Sequence, residues 1–366
     1  MDIYFLNGEF EPITGAIDEC TSVVWSERYF ENGTFTLHMP RELLLSVYEA
    51  EYVRTGVENG RIKCGRIEYI IADDEEESGS CELGGHLLES LLGDRVMSGR
   101  GCYTGTVTEA VCAAVEANLR GCGVELGEGV AIGTEVSLSY EWDVLSDWLY
   151  SVLRPFGASY RIELDPERNV PIFRIVCGID RSTEGAESEP YNEWQAVFSA
   201  SFGNITSVRF ERDTSARRNV VYVEGSDGTL VTVDESGGGA KRELYRSVSD
   251  VRPTDFADTE AYKAALRRRG VEILSGYAEV YHVSAETDVS VMPRYGIDYA
   301  LGDICDVADD TLGLAFGIRL TCVDDVTENG MRMLYPSFGE EISFVKRVGG
   351  LRPQTVIGVR EAVVAR

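Results

Sequence analysis

The feature that most constrains this chain is its punctuation. Short runs of alternating apolar and polar residues, each closed by Gly, Pro, Asn or Asp, recur on both sides of a helical middle. "GTFTLHMP" is the clearest of them: Phe35, Leu37 and Met39 fall on one face, Thr36 and His38 on the other, and Pro40 stops the run. Side chains along a strand point to opposite faces in turn, and proline cannot donate to a ladder, so the pattern predicts a half-buried strand. "RIKCGRIEYIIAD" predicts a strand pair. The acidic run "DDEEE" at 73–77, followed by Ser78 and Gly79, reads as a solvated hairpin tip.

Helical spacing takes over next. "ELGGHLLESLLGDR" sets Leu83, Leu87, Leu88, Leu91 and Leu92 on one stripe and places His86 in a helix. A second helix starts at Thr106, whose hydroxyl caps it while Glu109 closes a capping box. Its apolar face is Val107, Ala110, Val111, Ala114 and Val115, and it stops at "RGCG". A third, "EWDVLSDWLYSVLRP", buries Leu145, Trp148, Leu149, Val152 and Leu153 and ends at Pro155, which lacks the amide donor. "GASYRIEL" and "PIFRIVCG" form a hairpin around "DPERN".

From Trp194 strands return in "VFSASFGNITSVRFERD", "RRNVVYVEG" and "GTLVTVDE", followed by the loop "SGGGAKRE" and a helix from Asp258 to Ser275. Strands and tight turns continue to about Phe344, then a tail rich in Gly, Pro, Arg and Val. The fold class is α+β, predominantly β: two β-rich units joined by a smaller mixed α/β insert. The expected divisions are a first β-rich domain at 1–100, the insert at 101–190, a second β-rich domain at 191–345 whose strands can return to the first, and a tail at 346–366.

Charge narrows the function classes. The 366 residues carry a formal net charge of −28, which disfavours a groove that grips phosphates, because such grooves need clustered Lys and Arg. The arginines in "RRNVVYV" and Arg267 to Arg269 are expected to pair with local carboxylates. Nine cysteines form no C-x-x-C pair and their odd number fits reduced, packed thiols. The start "MDIYFLNGEFEP" has neither a basic nor an apolar leader region, and no run of about 18 apolar residues occurs, so no membrane span is expected; without a leader, the "NGT" and "NIT" sequons carry no weight.

Catalytic signatures are weak. The three histidines, His38, His86 and His282, lie far apart with no metal-ligand spacing. There is no G-x-S-x-G elbow, and neither "SGRGCYTG" nor "SGGGAK" matches a phosphate cradle. No spacing singles out a cysteine nucleophile. Pairs of carboxylates suited to glycoside hydrolysis are unspecific in a chain with 62 acidic residues. No catalytic, cofactor or metal residue is expected.

"RYGIDYALGDICDVADD" is the one stretch that invites chemistry, through Asp298, Asp303 and Asp306. Read by alternation it is a hairpin instead. Ile304 and Val307 point inward, Leu301-Gly302-Asp303 turns, and "GIRLTCVDDV" returns with Ile318, Leu320 and Cys322 on one face. Asp303 then accepts from backbone amides and Gly302 occupies a crowded or left-handed position.

The order of segments adds a resemblance. "WSERYFENGTFTLHMP", "CGRIEYI" with "GGHLLESLLGDR", "VFSASFGNITSVRFERDTSARRNVVYVEG", "GGGAKRELYRSVSDVRP" and "YGIDYALGDICDV…GIRLTCVDDVTENGMRMLYPSFG" together resemble a siphophage and prophage tail protein family, itself similar to baseplate-hub proteins, over roughly Trp25 to Phe344. The positions that carry it are Trp25, Gly33, Phe35, Leu37, Pro40, Gly65, Arg95, Asn204, Asn219, Tyr222, Asp298, Tyr299, Gly302, Asp303 and Gly339. The resemblance implies two tail-tube-like β-barrel domains and a homo-oligomer, a trimeric ring at the distal end of the tail.

The implied partners are the distal tail protein, the tube and tip or receptor-binding proteins, with no stable nucleic-acid binding. The implied location is the virion, after synthesis in the host cytoplasm. An acidic bore would let DNA slide past. The chain's end at Arg366 leaves no room for an added wall-cleaving domain, and the alternative is a peptidoglycan or glycan hydrolase hidden in the insert.

Overall fold

The computed structural model describes residues 2–72, 79–183, 185, 195–248, 251–256, 258–309 and 313–339. The acidic run at 73–77 and the tail at 346–366 lie outside the described residues. The chain divides into two units, Met1–Arg209 with Val283–Gly339, and Phe210–His282.

The first unit opens with β1 (Ile3–Leu6), β2 (Ser22–Arg28), β3 (Thr34–Pro40), the one-turn helix α1 (Leu44–Val47), β4 (Tyr52–Thr55), β5 (Cys64–Ala72) and β6 (Ser80–Leu87). Its middle holds β7 (Arg100–Thr106), α2 (Val107–Asn118), β8 (Glu125–Leu126), β9 (Glu135–Glu141), α3 (Leu145–Leu153), β10 (Ala158–Asp165) and β11 (Val170–Cys177). After β12 (Val197–Ser199), β13 (Thr206–Asp213) leads into the second unit.

The alternation read in β3 is the packing observed. Phe35, Leu37 and Met39 are buried, and Trp25, opposite Phe35 in the β2–β3 register, stacks on its ring at 5.3 Å. Burying each such side chain contributes roughly 1.5–3 kcal/mol. A second core gathers the apolar faces of α2, which packs on β7 and β9, and of α3, which packs on β10, together with buried residues of β10 and β11. Thr106 and Glu109 make the expected capping box, with Glu109 N donating to the Thr106 hydroxyl at 3.3 Å and Thr106 N to Glu109 at 3.0 Å. The third helix ends at Leu153, before Pro155 as expected; Pro155 lies in a following 3-10 turn, Arg154–Phe156, where its missing amide is an orphan anyway, and Val152 is only half-buried.

"ELGGHLLESLLGDR" is no helix. It is β6 followed by a 3-10 turn, Leu88–Leu92, and the five leucines divide between two cores. The glycines decide this. A Cβ on Gly85 would lie 2.0 Å from the Arg66 carbonyl and one on Gly84 2.3 Å from the Tyr69 hydroxyl, so β5 can approach only a side-chain-free strand. His86 therefore sits on a strand, 2.6 Å from Glu68. "RIKCGRIEYIIAD" is likewise one strand, β5, paired with β4 and β6 rather than with itself.

The second unit is small. In it β14 (Val220–Glu224) runs between β15 (Leu230–Asp234), antiparallel, and β16 (Glu243–Ser247), parallel, under α4 (Thr259–Ser275). Val221, Val223 and Val231 meet Tyr262, Leu266 and Leu274 of the helix, whose first turn is capped by Asp258 accepting from Ala261 N at 2.8 Å.

The chain returns through β17 (Val280–Asp288) to β18 (Ile304–Asp309), β19 (Leu314–Glu328) and β20 (Met331–Gly339). The large sheet has the order β1-β4-β5-β6-β3-β2-β19-β20-β17-β13, with β18 pairing β19 and β12. Among the described residues its path closes into no barrel, contrary to the two tube-like barrels the resemblance implied. The path ends in β1 at one side and β13 at the other; inside it β19 pairs β18 at 314–319 and, beyond an irregularity between Leu320 and Cys322, lies between β2 and β20. "VFSASFGNITSVRFERD" is broken too, into β12, a 3-10 turn and β13.

Candidate functional site

Asp298, Asp303 and Asp306, the carboxylates singled out in the 294–310 stretch, do not converge on one point. Asp298 accepts from Arg294 N at 2.7 Å and from its guanidinium at 3.1 Å, contacts that hold it below the usual carboxylate range. Asp306 accepts from Thr183 N at 2.7 Å. Asp303, 3% exposed, accepts from Ile179 N at 2.7 Å, Ala300 N at 2.9 Å and Arg181 Nε at 2.6 Å. The expected acceptor of backbone amides is there, with an arginine added. Among the described residues no group of His, Cys, Asp and Glu could hold a metal ion.

Gly302 is the crossing point of this stretch. Its φ is +97°, and a Cβ would lie 2.3 Å from the ring of Tyr29, which is wholly buried. Tyr29 accepts from Gly178 N at 3.1 Å and donates to the Gly157 carbonyl at 3.0 Å, so its hydroxyl ties the start of β10 to the end of β11 while its ring backs the turn. The strand after the turn corrects one expectation. Ile304 and Val307, three apart, cannot share a face; Cys305 and Val307 are the buried pair. Tyr299 packs edge-on against Phe198 at 5.0 Å.

Beside this turn runs a buried chain of charges that the sequence reading missed. Lys63 Nζ lies 2.8 Å from Glu27 and 2.6 Å from Asp325. Arg332 holds Asp325 through two contacts, at 2.8 and 2.6 Å, and reaches Glu58 at 2.6 Å. Tyr295 donates to Glu27 at 3.2 Å. Asp325 is 0% exposed. Burial alone would raise Glu27 and Asp325, but Lys63 with Arg161 in the one case, and Arg332 with Lys63 in the other, outweigh it and hold both carboxyls below their usual range. Lys63 is raised: burial would lower it, but its two carboxylates win.

General acid–base work near neutral pH needs a group tuned toward 7, and these are tuned away from it. Glu89 is raised by burial against the opposing Arg161, but it is 3% exposed and lies 3.1 Å from that arginine, so it offers no access to a substrate. A signal for the charge chain was present in "VDDV", an Asp pair held between two valines of a strand.

The other positions named from sequence serve packing and turns. Trp25, Phe35 and Leu37 share a core. A Cβ on Gly33 would meet Leu87 and one on Gly65 the Phe35 ring. Pro40 ends β3 opposite Ser80, and the Arg95 carbonyl accepts from Leu145 N at 2.8 Å. Asn204 bridges Ser199 N, Val197 O and Met292 O. In the second unit Asn219 clamps the end of the glycine loop through Ala240 O and Arg242 N, and Tyr222 donates to Glu243 at 2.9 Å. Gly339, at φ +77°, ends β20 and accepts from the Thr321 hydroxyl. All nine cysteines are free, and among the described residues no helix is long and apolar enough to cross a membrane.

Comparison with known proteins bears on this arrangement. The fold is similar to that of the tail protein from Neisseria meningitidis MC58, with TM-score 0.60 and 13% identity over 93% of this chain and 96% of that one. It is similar also to the 43 kDa tail protein of prophage MuSo2 from Shewanella oneidensis, with TM-score 0.58 and 12% identity over 92% and 98%. Prophage tail protein gp18 from Listeria monocytogenes EGD-e gives TM-score 0.55 and 14% identity over 94% and 97%. No curated protein sequence matches the chain. The family described as Siphovirus ReqiPepy6 Gp37-like protein matches residues 2–340, and the chain belongs to that family.

Proposed function

We propose that the chain is a structural protein of the phage tail tip, a hub subunit that assembles as a trimeric ring joining the tail tube to the tip and letting DNA pass. The observation that carries this reading is the likeness of fold to prophage tail proteins along more than nine-tenths of both chains, together with family membership over residues 2–340. The site geometry supports it. The carboxylates that invited chemistry fasten strands and turns instead, as a structural subunit requires. Acidity supports the passage of DNA, since a ring lined by carboxylates repels phosphates.

The reading makes the chain a non-enzymatic virion component whose partners are copies of itself and neighbouring tail proteins. The test is an amber mutation in its gene in a producing strain. Particles lacking attached, infective tails, restored by suppression, are expected; normal infective virions without the chain would refute the reading.

A further inference from the structure

The charge of this chain is divided unequally. Residues 210–282 hold eleven Lys and Arg against thirteen Asp and Glu, a net of −2, whereas 1–209 with 283–339 hold eighteen against forty-six, a net of −28. The second unit is nearly neutral in a strongly acidic protein, and its basic groups reach the surface. Among the described side chains of α4 after its first residue, the exposed positions are Glu260, Ala264, Arg267, Arg268, Val271 and Ser275, which recur at helical spacing and form one stripe. Glu260 is paired with Lys263 at 3.1 Å. Arg267 and Arg268 make no ion pair among the described residues, against the local pairing expected of them.

Val271, 47% exposed, lies one turn on and lines a groove with Arg217 and Arg218. The two carboxylates of that groove are Glu235 and Glu279, and Glu279 is already held by Arg212. Arginine is enriched at interfaces relative to the rest of a protein surface, and here arginines surround an exposed apolar side chain.

We propose that this stripe docks on the acidic first unit of a second copy of the chain. The proposal rests on the ring reading above and names the surface that links one subunit to the next. Charge selects the occupant. Two first units facing each other would repel, whereas the second unit of one copy against the first unit of another sets guanidinium groups against carboxylates. Such a contact uses different patches on the two copies, and heterologous contacts close into rings when the rotation permits. Duplex DNA is the poorer occupant: two arginines on one helical turn do not track a phosphate backbone, and the net charge of −28 opposes its approach.

The test is sedimentation velocity on the full chain over a concentration series, at about 50 mM and about 300 mM NaCl. The expected result is self-association that weakens roughly tenfold or more at the higher salt and in Arg267→Glu/Arg268→Glu, while Arg267→Lys/Arg268→Lys stays within about threefold of the wild type. Both positions are exposed, so circular dichroism should show all variants folded. Absence of self-association at low salt, or self-association unchanged by the charge reversal, overturns the proposal, as does tight binding of a short DNA duplex that the reversal abolishes. Detection of the chain in virions separates the two levels: if it is present there yet indifferent to the reversal, only the docking surface falls, whereas its absence refutes the ring reading itself.

Discussion

Replacing Gly302 by alanine should cost the first unit a large part of its stability. The added Cβ would sit 2.3 Å from one ring carbon of Tyr29 and 2.5 Å from another, where ordinary contacts exceed 3.4 Å. Tyr29 cannot move aside cheaply, because it is wholly buried and its hydroxyl bonds Gly178 N at 3.1 Å and Gly157 O at 3.0 Å. Overpacking of this kind costs about 1–3 kcal/mol, and a non-glycine residue at a φ of +97° adds about 1–3 kcal/mol. The loss is therefore about 2–6 kcal/mol against a total that is commonly only ~5–15 kcal/mol.

Gly203→Ala is the matched control. Its φ is +68° with no atom within 4 Å, so it should cost only the backbone part, about 1–2 kcal/mol. Urea unfolding followed by tryptophan fluorescence reads the first unit, where Trp25 and Trp148 are buried. Equal losses in the two variants would refute the crowding argument at Gly302.

Four further measurements probe the same framework. Asp325→Asn leaves Lys63 and Arg332 short of a countercharge in a buried place and should lower stability by about 3–5 kcal/mol in urea unfolding. The pH dependence follows from the directions of shift. Glu27 and Asp325 are lowered, so their contribution is complete above the unfolded carboxylate value of ~4 and is lost as pH falls through the folded values; Lys63 is raised, so its share is complete below ~10.4 and is lost as pH rises through its folded value. Wild-type urea midpoints should drop on acidification more steeply than those of Asp325→Asn. Asp303→Asn turns a carboxylate facing three donors into a half-donor amide beside Arg181, and a loss of about 2–4 kcal/mol by the same assay is expected. Thr106→Ala removes the capping box of α2 and should cost about 1 kcal/mol in thermal unfolding.

What could be read from the sequence was whatever local rules decide. The period-two face of Phe35, Leu37 and Met39, the Thr106–Glu109 box and the hairpin of β10 and β11 all depend on neighbours within a few residues. The misreading of Leu83 to Leu92 shows the limit. Leucine spacing favoured a helix, but two glycines admitting β5 at close range outweighed it, and that contact depends on a strand some fifteen residues earlier.

The candidate site divides in the same way. Asp303 as an amide acceptor followed from turn chemistry, yet its Arg181 partner is 122 positions away. The chain of Glu27, Lys63, Asp325 and Arg332 joins residues up to 305 positions apart, and only the Asp pair in "VDDV" hinted at it. The strand order was beyond reach for a similar reason: β19 changes partners midway, a choice set by tertiary packing and not by its own alternation.

The central claim is best tested by cryo-electron microscopy of the tail tip of virions that contain the chain, with peptide mass spectrometry of the same particles. The account predicts this fold at the distal end of the tail tube, in three copies around the channel. Virions that lack the chain, or hold it elsewhere or in another copy number, would contradict it.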